Sequence, residues 1–386
     1  MVDLKIPLGC ARVCMMLAIV LGMQWSLQAV GLEPEHFPPI AVKWVDLPTS
    51  LRGEADVELT RGVVHRGWHT MTAPASHAWR VAYLFPHMKD PYWLGCDYGV
   101  IHEARRLGLI ADIYVSQGYD DLLGQLRQMD EVVSRRYDAI VLSPIGLSGD
   151  NVGVAEARRQ GIPVFELAND STSPDLTLKV TTSLQGMGSK AMQWIVQDAR
   201  VRGLTHVNLL VLPGPRDAGW VKGEVSGTLA EIRREGREVH ILSIAYGDSD
   251  RIIQARLAAQ AIARYGRRID YILGCSGCAP AALMPLREAG LERQVRVVAY
   301  DLTREIADLV AHGDIAAAVD TKAVSQARVV TDRVVDYLEH RPQAPASTLL
   351  VDLGLVDRQN LASYPLATSI APESFTPSYA IRPERY

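Results

Sequence analysis

Residues 80–93, R-V-A-Y-L-F-P-H-M-K-D-P-Y-W, contain the strongest indication of the fold. Residues 81–85 are a continuous apolar run with aromatic side chains, which predicts a strand buried on both faces of a parallel sheet. A proline ends this strand, and an amphipathic helical pattern begins shortly after it. Asp90, Tyr92 and Trp93 are therefore expected at the carboxyl end of the first strand, where open α/β sheets bind ligands.

Strand and helix patterns alternate along the rest of the chain in two series. The first series continues with strand-like runs at residues 110–115, 139–143 and 162–167. The second series has strand-like runs at residues 207–212, 239–245, 271–274, 295–300 and 315–319. The polar residues 169–182 lie between the two series and are predicted to include the first crossover. Repeated βα units of this kind predict an α/β fold with two Rossmann-like lobes, whose parallel sheets are joined by crossover hinge strands.

The amino terminus has the pattern of a secretory signal peptide. Lys5 and Arg12 precede a short apolar segment at residues 13–23, and small residues end at Ala29. We therefore predict cleavage of residues 1–29, a periplasmic mature protein and no membrane insertion after cleavage. An uncleaved anchor is the alternative.

The predicted domains follow from these patterns. Residues 30–79 show little periodicity and are expected to be irregular. Residues 80–180 together with 321–342 are predicted to form lobe 1, and residues 181–320 are predicted to form lobe 2. Residues 343–386, which include a proline-rich segment, are expected to be an extended C-terminal tail.

Composition excludes several classes of function. A net charge of −4 and the lack of a Lys/Arg-rich tract offer no surface for nucleic acid. His87, His102 and His240 have no paired spacing and are expected at the surface or at helix caps. No complete catalytic, metal-binding or dinucleotide-binding motif is present. The sequence therefore predicts a protein that is not an enzyme and has no cofactor.

Cys275 and Cys278 form a C-S-G-C motif directly after a predicted strand. In an oxidising compartment, a CxxC motif at a helix start is compatible with redox activity. A local disulfide or two small buried side chains is the structural interpretation, which we favour because no other thioredoxin-like pattern surrounds the motif.

Several stretches carry a resemblance to a known family. Residues 85–94, F-P-H-M-K-D-P-Y-W-L, resemble the members of the type I periplasmic binding protein superfamily that sense trimethylamine N-oxide (TMAO). The resemblance extends to residues 117–119, 212–216 and 369–378. It implies a protein that closes around TMAO and docks onto the periplasmic domain of a membrane sensor histidine kinase.

The resemblance also implies ligand contacts in lobe 1. Asp90, Tyr92 and Trp93 match family contacts, and Tyr119 matches a further aromatic contact after the second strand. Aromatic ring faces suit a trimethylated nitrogen, and a carboxylate complements its charge. The alternatives are that Asp90 only caps a helix and that Tyr92 and Trp93 only pack against the amino-terminal segment.

The candidate residues of lobe 2 depart from the family. Leu184 stands where the family has a tryptophan, and Asp301, with Tyr300 beside it, stands where the family has a tyrosine. Trp220 is a candidate ring from another direction, or else a residue of the helix surface or of the packing between domains. Asp301 is a candidate ligand carboxylate or a cap for the helix that starts near Thr303.

Two other functions are carried as alternatives. One is a receptor linked to an ABC transporter, which binds a sugar or another small polar solute. The second is an exported thiol-redox enzyme that uses Cys275 and Cys278. A transcriptional regulator with the same fold would require a helix-turn-helix, for which the sequence has no pattern.

Overall fold

The computed structural model describes residues 39–47, 63–235, 238–342 and 346–383 of the chain. Within these ranges, strands and helices alternate and build two separate sheets. The predicted signal peptide lies outside the described residues. No helix in the described ranges has the length and apolar character that a membrane crossing requires.

The first sheet has nine strands in the described part of the chain. They are β1 (Ile40–Asp46), β2 (Val63–His69), β3 (Arg80–Phe85), β4 (Ile110–Val115), β5 (Ala139–Leu142), β6 (Val164–Leu167), β7 (Leu178–Thr182), β13 (Thr348–Val351) and β15 (Ala380–Ile381). Their order across the sheet is β15-β4-β3-β5-β6-β7-β13-β1-β2. The strands from β4 to β13 in this order run parallel, while β15, β1 and β2 are antiparallel to their neighbours.

Among the described residues, the second sheet has six strands, of which five run parallel. They are β8 (Val207–Gly214), β9 (Val239–Tyr246), β10 (Tyr271–Gly274), β11 (Arg296–Ala299), β12 (Ala317–Asp320) and the antiparallel β14 (Gly354–Asp357). Their order is β14-β12-β11-β10-β8-β9. This sheet separates two clusters of buried apolar side chains, one on each face.

Helices follow most of the parallel strands. The helices that connect or cover the first sheet are α1 (Pro91–Leu107), α2 (Leu122–Ser134), α3 (Asn151–Arg159) and α10 (Ala323–Leu338). Those of the second sheet are α4 (Leu184–Val201), α5 (Gly219–Glu235), α6 (Arg251–Tyr265), α7 (Cys278–Ala281), α8 (Leu283–Glu288) and α9 (Arg304–His312). The predicted α/β fold with two parallel-dominated sheets is confirmed.

The chain passes between the two sheets through three short segments. These segments join β7 to α4, β12 to α10, and β13 to β14. The longer segment 358–379 then returns to the first sheet, where β15 pairs with β4. Short connections of this kind between two sheets are suited to act as hinges. The lobe boundaries expected from the sequence stay a prediction.

Two stretches expected to lack regular structure contain strands. Residues 30–79 include β1 and β2, and residues 343–386 include β13, β14 and β15. The expectation was wrong because these strands are defined by distant partners: β1 pairs with β13, and β13 lies between β1 and β7. Pairing across such a distance leaves little local periodicity.

A buried ionic network holds α10 against the first sheet. The Arg328 guanidinium donates to Glu103 of α1 over 2.8 Å, and both side chains are almost completely buried. Arg106 donates to Asp332 over 2.8 Å and also pairs with Glu103. His69 of β2 contacts the same Asp332 carboxylate at 2.8 Å. The network therefore joins β2, α1 and α10.

Two glycines allow α4 and α5 to approach each other closely. A Cβ atom on Gly188 would overlap the backbone carbonyl of Glu224, and one on Gly227 would overlap the carbonyl of Gln185. Because backbone atoms cannot move aside as a flexible side chain can, only glycine fits at these crossing points. The contact fixes the position of the first turns of α5.

We expect Gly188→Ala to lower the free energy of unfolding by about 1–3 kcal/mol, the usual cost of overpacking a close contact. Urea denaturation followed by circular dichroism measures the effect. Gly146→Ala is the control, because the nearest atom to its added Cβ lies 3.7 Å away. Equal stability of the two variants would contradict the close contact.

Candidate ligand-binding site

A cavity lies between the carboxyl ends of the strands of both sheets. The space free of protein atoms within it, including the solvent at its opening, is about 440 Å³. Its wall is formed by Asp90, Tyr92, Trp93, Tyr119, Ala168, Asn169, Thr182, Leu184, Met187, Trp220, Glu224, Ser249, Ser276, Asp301 and Thr321. Nearly all of these residues lie at strand ends or in the first turns of the helices that follow, as expected for parallel sheets.

The structure brings seven of the eight candidate residues together at this cavity. They are Asp90, Tyr92, Trp93, Tyr119, Leu184, Trp220 and Asp301. Four come from loops and helix starts of the first sheet, and three come from those of the second. Contact between these side chains and a ligand stays a prediction.

Tyr300 is placed differently from the expectation. Its side chain is fully buried among apolar residues of the second sheet, and its hydroxyl lies 2.9 Å from that of Thr228. Tyr300 does not line the cavity, whereas the neighbouring Asp301 does. Successive side chains of an extended chain point in opposite directions, so only one of the two can face the cavity.

Asp90 has two roles in the structure. Its Oδ1 accepts a hydrogen bond of 2.9 Å from the backbone N–H of Tyr92, which caps α1. Its Oδ2 accepts one of 2.5 Å from the hydroxyl of Ser276, which follows β10 of the second sheet. The cap predicted as an alternative is therefore present, and it leaves the second oxygen available to join the two sheets across the cavity.

Aromatic rings form much of the wall. The rings of Tyr92 and Trp93 lie 5.2 Å apart at right angles, and those of Tyr119 and Trp220 lie 5.9 Å apart. The second pair joins a loop of the first sheet to α5 of the second. Trp220 therefore lines the cavity and also packs between the two sheets, and its contact with a ligand stays a prediction.

His87 packs against two of these rings and is not at the surface. Its ring lies 5.4 Å from that of Tyr119 and 6.4 Å from that of Trp93, with edge-to-face geometry. The side chain is buried, and this burial lowers the pKa of His87. The expectation of a surface or capping residue was wrong for His87, because a buried neutral imidazole packs as an aromatic ring.

Asp301 is a buried carboxylate on the second-sheet side. The Thr321 hydroxyl donates to its Oδ1 over 3.4 Å. Burial raises the pKa of Asp301 to about 7, and the charge of Asp90 contributes to this rise. The side chain does not cap α9, because Thr303 occupies that position and accepts from the N–H of Ile306.

Sequence reasoning missed Glu224, which also lines the cavity. Glu224 lies four residues after Trp220 on α5, so the two side chains share one face of the helix. This spacing is the signal that could have identified it. The polar residues Asn169, Thr182, Ser249, Ser276 and Thr321 were also missed, and each follows or ends a strand.

The wall of the cavity carries acidic groups and no basic ones. Asp90, Glu224 and Asp301 line it, and no residue that the structure describes along the wall is lysine, arginine or histidine. Within the described ranges, no cluster of His, Cys, Asp or Glu side chains is arranged to hold a metal ion. The arrangement can hold a small solute that complements carboxylates and ring faces.

Cys275 and Cys278 form a disulfide that closes the turn after β10. Both cysteines are fully buried, and Ser276, the partner of Asp90, lies between them. A local disulfide or two small buried side chains was the favoured interpretation of the sequence, and the structure has the disulfide. The disulfide closes the turn on which Ser276 lies at the cavity.

Comparison with known proteins gives a consistent result. Residues 81–342 match the model of the periplasmic binding protein domain. The periplasmic protein TorT of Escherichia coli K12 is 28% identical over 305 residues, which cover 79% of this chain and 85% of TorT.

Two solved structures share the fold. An ABC transporter solute-binding protein from Bradyrhizobium sp. BTAi1 with bound bis-tris has a TM-score of 0.74 at 30% identity, and the match covers 89% of this chain and 98% of that protein. A complex of TorT with the TorS sensor domain, determined without ligand, has a TM-score of 0.68 at 22% identity. That match covers 78% of this chain and 99% of the matched chain. The chain described here therefore belongs to the periplasmic binding protein family.

Proposed function

We propose that this protein is a periplasmic receptor that closes around TMAO or a related small methylated amine. The observation that carries the proposal is the cavity at the carboxyl ends of both sheets, to which each sheet contributes rings and carboxylates. A methylated nitrogen is bulky and positively charged, so it packs well against the ring faces of Tyr92, Trp93, Tyr119 and Trp220. Each such contact contributes about 0.5–2 kcal/mol.

A bridging ligand would add contacts to those that the two sides of the cavity already make directly, between Asp90 and Ser276 and between Tyr119 and Trp220. A solute between Asp90 and Asp301 touches both sheets at once, which stabilises the closed arrangement relative to an open one. The three short segments between the sheets permit such a motion. The ligand thus shifts an equilibrium that the fold already provides.

We propose that the closed surface is read by the periplasmic domain of a sensor histidine kinase. TorT forms a complex with the TorS sensor domain, and its sequence matches most of this chain. The signal would pass from solute to kinase, and neither nucleic acid nor membrane insertion is involved. The protein has no catalytic role in this scheme.

A transporter-linked receptor is the second candidate. The relative from Bradyrhizobium is an ABC transporter solute-binding protein with 30% identity. The polar side chains of Asn169, Ser276 and Thr321 on the cavity wall are also suited to the hydroxyl groups of a sugar. The two candidates differ in the membrane partner and in the ligand.

Titration calorimetry with TMAO, betaine, choline and simple sugars tests the ligand. We expect heat of binding and thermal stabilisation from a methylated amine. Binding of a sugar without binding of any amine would overturn the proposal in favour of the transporter-linked receptor. The partner is tested by mixing the protein with the kinase periplasmic domain, for which we expect association with an affinity that changes when the ligand is added.

A further inference from the structure

Glu224 is the acidic group of the site with the fewest partners. Its side chain is fully buried and lines the cavity, and neither carboxyl oxygen has a hydrogen-bond partner among the described residues. Ionisation of a buried carboxyl group without a cation or hydrogen-bond donor is costly. Both oxygens are therefore open to a partner from outside the chain, and a positive partner would allow the group to ionise.

The backbone around Glu224 is fixed. Its carbonyl lies directly against Gly188 of α4, and it also accepts a hydrogen bond of 2.9 Å from the Thr228 hydroxyl. The close approach of α4 and α5 at Gly188 and Gly227 prevents α5 from turning the side chain toward solvent. The carboxylate is therefore held in the cavity by helix packing.

The surroundings of Glu224 suit an ammonium group better than a hydroxyl group. Leu184, Met187 and Trp220 line the cavity on the second-sheet side and present apolar or aromatic surface. Burial raises the pKa of Glu224, and the nearby charge of Asp301 adds to this rise, so the protonated form is favoured while no cation is near. A cation against the carboxyl group would instead favour the ionised form and form an ion pair with it.

We propose that the ligand carries a net positive charge, with its ammonium nitrogen against Glu224 and Asp301 and its methyl groups against Leu184 and Met187. This inference rests on the proposed function and narrows it. Choline-like quaternary ions and protonated methylamines satisfy the requirement, whereas TMAO, which has no net charge, satisfies it less well. Glu224 is thus the residue that selects for charge.

The test uses two probes of nearly the same shape. Choline carries a quaternary nitrogen, and 3,3-dimethylbutan-1-ol has a carbon atom in its place, so the pair differs mainly in charge. We expect choline to bind at least tenfold more tightly than the alcohol. We expect Glu224→Gln to lower the affinity for choline at least tenfold and to leave the affinity for the alcohol unchanged.

Control variants separate charge selection from folding. Glu235→Gln, at the far end of α5, removes a carboxylate that pairs with Arg200 outside the cavity and should leave choline binding unchanged. Glu224→Gln should melt, without ligand, at the same or a higher temperature than the natural protein, because glutamine has nearly the same shape and carries no charge that burial could penalise. Asp301→Asn is the second variant, with the same expected loss of choline affinity.

The outcomes distinguish this inference from the proposed function. If TMAO binds tightly and Glu224→Gln binds it equally well, the charge requirement is overturned and the methylated-amine receptor stands. If only a sugar binds, both are overturned. Equal binding of choline and the alcohol, or no binding of any cation tested, also overturns the charge requirement.

Discussion

Replacing Asp90 with asparagine is expected to weaken ligand binding about 10- to 100-fold while the fold is retained. Asparagine caps helices about as well as aspartate, so the bond to the N–H of Tyr92 can persist. The change removes the negative charge that faces the cavity and weakens the bond from Ser276. A hydrogen bond to a charged group contributes about 1.5–3 kcal/mol, which corresponds to this loss of affinity.

Calorimetry with choline and TMAO measures the effect, and Asp121→Asn is the matched control. Asp121 caps α2 through the N–H of Gly124 in the same way but does not line the cavity. The control should retain full affinity. Unchanged affinity in Asp90→Asn would mean that this carboxylate caps α1 and does not contribute to ligand binding.

Replacing Arg328 with leucine is expected to lower the free energy of unfolding by about 3–5 kcal/mol. The guanidinium is almost completely buried, and its removal deprives the buried Glu103 carboxylate of one of its two cationic partners. Breaking a buried pair in this way costs far more than breaking an exposed one, since water cannot solvate the remaining charge. Urea denaturation measures the loss.

Arg159→Leu serves as the comparison on the surface of the same sheet layer. Arg159 pairs with Glu156 on α3, and both side chains are exposed. Solvent screens such a pair, so its removal should leave the unfolding midpoint unchanged. A similar, small effect of both substitutions would show that the Arg328 network contributes no more to stability than an exposed ion pair does.

Most of the parallel strands could be predicted because the residues of each strand are themselves apolar and so indicate a buried environment. Residues 81–85 are all buried in β3 and are apolar without interruption, so the pattern alone indicates their environment. Strand β7 is equally buried but contains Lys179, Thr181 and Thr182. Lys179 is tolerated there because it pairs with Asp170 at 2.5 Å. Because the partner of Lys179 lies outside the strand, the sequence of β7 alone resembles a polar linker.

Some residues of the candidate site could likewise be predicted from the sequence, and others could not. Asp90, Tyr92 and Trp93 follow a recognisable strand, so topology alone predicts their place at the cavity. Glu224 lies within a helix whose pattern resembles an ordinary solvated face, and the close packing of α4 against α5 holds it at the cavity. Its spacing of four residues from Trp220 links it to the site, but that signal is useful only once Trp220 itself is placed at the cavity.

The position of β13 has a consequence for how the protein is made. Strands β1 and β2 join the first sheet only through β13, and Leu47 bonds to Ser347 across 300 positions. At ribosomal rates of about 5–20 residues per second, the amino-terminal strands wait roughly 15–60 s for this partner. The first sheet cannot be completed during most of synthesis. Strands β1 and β2 therefore stay separate from the rest of the sheet until β13 has been made.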